Sequence, residues 1–172
     1  MNPDLEPSPW VRRYAEHVPR EGAVLDVACG SGRHAMFLAG LGCQVTAIDI
    51  DTGTIEALTQ EAGMAHSINI LTSDLECGDW PFETGTFDAV IVVNYLHRAH
   101  FELLAGSLAR GGLLLFDTFA VGNERIGRPR NPDYLLRPGE LLREFGPDLD
   151  IIAYDHGQLE NSVRQRLCAV RR

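Results

Sequence analysis

Lysine is absent from this 172-residue chain, and all 15 of its basic side chains are arginine. The chain therefore has no P-loop lysine, no Schiff-base lysine and no Ser-Lys nucleophile pair, which removes several large enzyme classes. Positive charge is also scarce: 15 arginines against 24 acidic residues leave a formal charge of −9. A field of that sign opposes general affinity for a nucleic-acid backbone, so no nucleic-acid partner is expected. Long apolar runs are missing too. The longest strand-like one, Ala89-Val90-Ile91-Val92-Val93, falls far short of the ~18–20 residues of a membrane span, so the protein is expected to be soluble with no membrane partner. Cysteine is sparse: Cys29, Cys43, Cys77 and Cys168 are scattered without C-x-x-C spacing. This implies neither a zinc site nor a disulfide framework, and a reducing cytoplasm is the expected location. The acidic start, residues 1–6, lacks the basic and apolar stretches of a secretory signal.

What is present is an alternation of short apolar runs and longer amphipathic stretches, the pattern of a parallel sheet with crossover helices. At this length one domain over residues 1–172 is the economical reading. Its expected parts are a leading helix or lid (1–20), a ligand-binding core (21–118), a loop and helix for a second ligand (119–148) and an edge hairpin (149–172). Strands are expected at 23–28, 44–49, 67–72, 86–93 and 112–118, and helices at 9–18, 33–41, 52–63, 97–109 and 138–145. Two further strands, 149–156 and 162–170, should form an antiparallel hairpin joined by 157–161. Residues 119–137 hold no period, and a connection of that length is either functional or mobile. The fold class is thus α/β, a three-layer doubly wound, Rossmann-like and mostly parallel seven-stranded sheet.

Chemistry concentrates in Val24-Leu25-Asp26-Val27-Ala28-Cys29-Gly30-Ser31-Gly32-Arg33-His34 and in Val45-Thr46-Ala47-Ile48-Asp49. A strand runs into a turn whose glycines let a ligand approach backbone N–H groups at a helix start. One strand later Asp49 stands at the sheet edge where an acidic residue can accept both hydroxyls of a ribose. Gly30-Ser31-Gly32-Arg33-His34-Ala35 also satisfies a permissive dinucleotide pattern. Asp26 decides between the two: it would repel a pyrophosphate and attract a ligand carrying an ammonium and a sulfonium.

This arrangement resembles the first motif of class I S-adenosylmethionine-dependent methyltransferases, and the resemblance covers most of the chain. Ser73-Asp74-Leu75 is similar to the family segment that holds the adenine, and Trp80-Pro81-Phe82-Glu83-Thr84-Gly85-Thr86-Phe87-Asp88 to its approach to the fourth strand. Asn94-Tyr95-Leu96-His97-Arg98 occupies the position that borders the methyl group, and Gly111-Gly112-Leu113-Leu114-Leu115 resembles the turn entering the fifth strand. Within the class, the first motif and residues 131–141 resemble the small tellurite-resistance and thiopurine-type enzymes. The resemblance implies S-adenosylmethionine as cofactor, S-adenosylhomocysteine as product and a small-molecule acceptor. It implies cofactor contacts from Asp26, Ala28, Gly30, Ser31, Gly32, Asp49, Ile50, Asp74, Leu75 and Asn94, and catalytic positions at Asn94, His97 and Arg98. The family's commonest first glycine is Ala28 here, a tolerable change if that residue keeps a negative φ.

An imidazole titrates near neutrality, which makes His97 a candidate general base. Arg128, Tyr134 and Arg137 in the long connection are candidates to clamp an anionic or planar acceptor, and Tyr14 to close over it. His97 and His100 have H-x-x-H spacing but no third ligand, so no metal is expected. The rival readings are a nicotinamide-dependent oxidoreductase and a non-catalytic cofactor-binding protein. The expected assembly is a monomer or homodimer.

Overall fold

The computed structural model describes residues 6–172; residues 1–5 of the acidic start lie outside them. One seven-stranded sheet organises the chain. Its strands are β1 (Ala23–Val27), β2 (Gln44–Asp49), β3 (Ile68–Thr72), β4 (Phe87–Val93), β5 (Leu108–Phe119), β6 (Leu149–Leu159) and β7 (Ser162–Arg171), in the spatial order β3-β2-β1-β4-β5-β7-β6. The first five are parallel, and β7 runs antiparallel to both β5 and β6. The helices are α1 (Pro9–Tyr14), α2 (Arg33–Gly40), α3 (Gly53–Glu61), α4 (Phe101–Ser107) and α5 (Glu140–Phe145).

The central strands are apolar throughout because both faces are covered. Val24, Ala47 and Ile91 pack against Val11, Leu38 and Ile55 of α1, α2 and α3. On the opposite face Leu25, Val90 and Phe116 meet Leu104, Leu141 and Phe145 of α4 and α5. Trp10 is buried in the first of these cores, and its indole N–H donates to the Leu167 carbonyl at 3.0 Å, fastening α1 to β7. Because β1 lies between β2 and β4, the chain order reverses there. The crevice outside the carboxyl ends of β1 and β4 is where such a sheet binds ligands.

Several element limits differ from those expected. The leading helix tightens into a 3₁₀ turn over Ala15–His17. The helix expected at 97–109 is a 3₁₀ turn (Arg98–His100) followed by the short α4, and β5 starts at Leu108. Gly111 takes φ +78° within β5, and the register with β4 shifts there, so the strand passes through its glycines. The hairpin strands are longer than expected, because Glu160 takes φ +49° and the turn shrinks to two residues. The long connection is pinned: Ala120 bridges Leu136, and Leu135 and Leu136 are buried. No helix among the described residues is long and apolar enough to cross a membrane.

Candidate active site

The turn after β1 is held by its neighbour strand. The Gly30 N–H donates to Asp49 Oδ2 at 2.8 Å, the Asp51 N–H to Asp49 Oδ1 at 3.1 Å, and the Cys29 N–H to the Ile48 carbonyl at 3.1 Å. The two glycines do different work. Gly30 has φ +55° and nothing within 4 Å of where a Cβ would stand, so its open side faces the crevice. Gly32 has φ +77°, and a Cβ there would come within 2.4 Å of Ile55, so its task is to let α2 and α3 approach. Ala28 has φ +52°. The expectation of a negative φ there is overturned: the position demands the left-handed conformation that glycine adopts freely and alanine does not.

Asp26 lies under this turn at 1 % exposure, with Oδ2 accepting the Ala35 N–H at 3.0 Å. Its second oxygen has no hydrogen-bond partner among the described residues. Burial raises its pKa to about 7, against the lowering effects of the Ala35 N–H and Arg33, with Asp49 adding a smaller upward push. His34 is buried as well. Its Nε2 accepts the Ser8 N–H at 3.2 Å, and burial, aided by Arg33, lowers its pKa to about 3. It stays neutral and latches the start of α1 onto α2. Burial, with Asp26 and Asp49 nearby, keeps the Cys29 thiol protonated and unfit as a nucleophile.

At the ends of β2 and β3 an apolar surface is left open. Ile50 is 66 % exposed, and Leu75 is buried on the opposite core. Asp74 is exposed, and its Oδ1 accepts the Glu76 N–H at 3.0 Å. These features suit a nucleoside with a cationic tail. Gly30 leaves room, and Ile50 offers an unpartnered apolar side chain for a base. Asp49 keeps about two of its four lone-pair sites for ribose hydroxyls, and Asp26 offers a carboxylate oxygen for an ammonium.

Asn94 joins this cradle to the rest of the crevice. It follows β4 with φ +59°, and its Oδ1 accepts from Arg164 Nη2 at 2.6 Å. Arg164 donates through Nε to Asp117 Oδ1 at 2.6 Å and through Nη2 to the Asp117 carbonyl at 3.1 Å. With Oδ1 so engaged, the two Nδ2 donors of Asn94 stay free. Asn94 lines three hollows: the glycine-turn cradle, a cleft of about 820 Å³ walled by Ser8, Arg33, Arg164 and Arg166, and a pocket of about 260 Å³ walled by Tyr95, Phe119, Pro129 and Tyr134. A separate hollow of about 720 Å³ lies across β2 and β3, away from Asn94. It exists because no helix bridges β3 and β4, and it holds none of the residues above.

Residues 24–112, just over half the chain, match the family described as "Methyltransferase domain". The chain belongs to that family. With the cradle and sheet described, it is a class I S-adenosylmethionine-dependent member. It is 38% identical over 112 residues to the ubiquinone biosynthesis O-methyltransferase of Methylocella silvestris, covering 60% of this chain and 42% of that protein. It is 34% identical over 135 residues to the tRNA U34 carboxymethyltransferase of Methylococcus capsulatus, covering 72% and 40%. The chain thus spans under half the length of these curated relatives. In fold it is similar to an S-adenosylmethionine-dependent methyltransferase of Aquifex aeolicus, with TM-score 0.73 and 15% identity over 98% of this chain and 96% of that one. It is also similar to TehB of Haemophilus influenzae, with TM-score 0.76 and 17% identity over 100% and 63%.

Within this methyltransferase domain the remaining expected residues fall unevenly. Tyr134 lines the pocket beside Asn94, and Ser31 lines the cradle. Arg128 and Arg137 are exposed and wall none of the three hollows. Tyr14 is not a lid residue: it is buried edge-on to Trp10, their rings 4.8 Å apart, in the core under α1. Arg98 is not free for chemistry. Its Nε donates to Glu140 Oε1 at 2.6 Å, Nη1 to the Asp133 carbonyl at 2.8 Å and Nη2 to the Leu135 carbonyl at 2.9 Å. His97 packs on His100 with ring centres 4.3 Å apart and lies outside the three hollows. Arg164, not among the residues expected at the site, is 12 % exposed and touches Asn94. The period-two placement of Arg164, Arg166 and Cys168 on one face of β7 is the signal that would have found it.

Proposed function

We propose that this chain transfers a methyl group from S-adenosylmethionine to a small-molecule acceptor by direct displacement. The observation that carries the reading is the continuity, through Asn94, between the hollow at the glycine turn, lined by Ala28, Gly30 and Ser31, and a pocket of only about 260 Å³. When bound, S-adenosylmethionine supplies an electrophilic methyl group on a sulfonium. Asp26 and Asp49 hold its cationic and ribose ends, Ile50 flanks the base, Asp74 and the Leu75 backbone N–H hold the base's edge, and Asn94 presents amide donors between cofactor and acceptor. What remains for the protein is alignment and exclusion of water.

Neither Tyr95 of the pocket wall nor His100 behind it is poised as a base. Burial, reinforced by Glu76, Asp74 and Asp49, keeps the Tyr95 hydroxyl protonated, and burial with His97 keeps His100 neutral. His97 lies outside the pocket, so the arrangement favours acceptors that are already nucleophilic. The small pocket and the net charge of −9 support a small acceptor over a tRNA. Four free cysteines, three of them buried, support a reducing, cytoplasmic location. The proposed assembly is a monomer or a homodimer.

Calorimetric titration tests this reading: S-adenosylhomocysteine is expected to bind and NAD to give no signal. NAD binding without S-adenosylhomocysteine binding would overturn it. A turnover screen over thiol, amine and hydroxyl acceptors separates an enzyme from a protein that only holds the cofactor, which would stay silent throughout.

A further inference from the structure

The 260 Å³ pocket carries information about its occupant that the cradle does not. Its wall is aromatic: Tyr95, Phe119 and Tyr134, with Pro129 and Leu96 between them. Each aromatic is held from outside the pocket. The Tyr95 hydroxyl lies 3.3 Å from His100 Nδ1, and the Arg164 guanidinium sits 4.4 Å from the centre of the Phe119 ring. Tyr134 stands on a pinned backbone, because Arg98 bonds the carbonyls on both sides of it, Asp133 and Leu135. Its own ring is 48 % exposed and pairs with no other aromatic among the described residues. A ring on a pinned backbone, with no aromatic partner of its own, is a surface on which a planar molecule can stack.

The sign of the charge is equally specific. Glu76 is the one carboxylate in the wall, and no arginine lines it. The arginines expected to clamp the acceptor, Arg128 and Arg137, are exposed outside the pocket, and Arg98 is bound to Glu140. An anion placed here would lose its water and meet a like charge without a compensating donor fork.

We infer that the acceptor is a planar aromatic or heteroaromatic molecule of one or two fused rings, uncharged or cationic, stacked on Tyr134 with Glu76 at its rim. This rests on the methyltransferase reading above and names the acceptor class for the same site. Of the anionic or planar acceptor that the sequence suggested, it keeps the planar form and drops the anionic one.

Three probes of one skeleton test it on the full chain saturated with S-adenosylhomocysteine: 2-naphthylmethanol, 2-naphthylmethylammonium and 2-naphthoate, titrated by ligand-observed NMR. The neutral and cationic probes are expected to bind at least about tenfold more tightly than naphthoate. Tyr134→Ala is expected to weaken the neutral probe about fivefold, with Tyr134→Phe restoring it. Glu76→Gln is expected to weaken the ammonium about threefold and leave the alcohol unmoved. Naphthoate binding as tightly as the alcohol, alcohol affinity unmoved by Tyr134→Ala, or no probe binding to a protein that does bind S-adenosylhomocysteine would each overturn the acceptor class alone. Failure of S-adenosylhomocysteine itself to bind would overturn the methyltransferase reading and this one with it.

Discussion

The two halves of the crevice are built by opposite means. The half proposed for the cofactor, between β1, α2 and β2, is made of backbone N–H groups, glycine conformations and strand-end carboxylates contributed by a short stretch of chain. The half proposed for the acceptor is made of side chains brought from far apart: Asn94 meets Arg164 across 70 positions, and Arg98 meets Glu140 across 42. The first kind of site is fixed once a strand-turn-helix unit forms. The second depends on ion pairs that pin loops, so its shape can be changed without disturbing the first.

That contrast can be broken from either side. The largest expected effect is on Asp26. Its folded pKa of about 7 lies above the ordinary 3.8, so the native state holds a proton that the unfolded chain has released. Stability of the ligand-free protein should therefore fall as pH rises from 4 to 7, by up to about 4 kcal/mol. Urea titrations at several pH values check this, and Asp26→Asn should flatten the profile. Next comes Arg98→Ala, which leaves the buried Glu140 carboxylate unpaired and unpins Tyr134. A loss of about 3 kcal/mol is expected by urea unfolding, with S-adenosylhomocysteine affinity retained in the folded fraction. Asp49→Ala acts on the other half. It removes the acceptor of the Gly30 N–H and a ribose ligand, so S-adenosylhomocysteine affinity should drop about a hundredfold by calorimetry while the fold persists. The smallest effect sharpens the contrast. Ala28→Gly should stabilise the protein by about 0.5–1 kcal/mol, because glycine relieves the left-handed strain. A fall in melting temperature would contradict that account.

The same contrast explains what the sequence disclosed. Asp26, Gly30, Gly32 and Asp49 were legible because the unit that uses them is local, and the apolar runs were legible as strands because both sheet faces are covered. The sign of φ at Ala28 was not, since the turn geometry is imposed by the bonds to Ile48 and Asp49 on another strand. Arg164 looked like any charge on an edge hairpin until β7 proved to lie inside the sheet, against Asp117. Tyr14 shows the limit of periodicity: the pattern placed it on a helix over residues 9–18 and could not say that its side chain covers a core and not a cleft. The arginines of the long connection drew attention by composition alone, while Tyr134 among them was positioned by an arginine outside it.

The place of β7 between β5 and β6 also bears on how the molecule comes into being. The strand formed from the latest residues of the seven is inserted into the sheet, and it carries both the Leu167 carbonyl that fastens Trp10 and the guanidinium that sets Asn94. A nascent chain can assemble the five parallel strands and the glycine turn, yet β5 remains an unpaired edge until residues 162–171 arrive. Such an edge invites pairing with other chains. Refolding should therefore pass through a species that holds the nucleoside cradle and aggregates readily, with docking of β7 as the slow, long-range step that ends the risk and completes the acceptor pocket together.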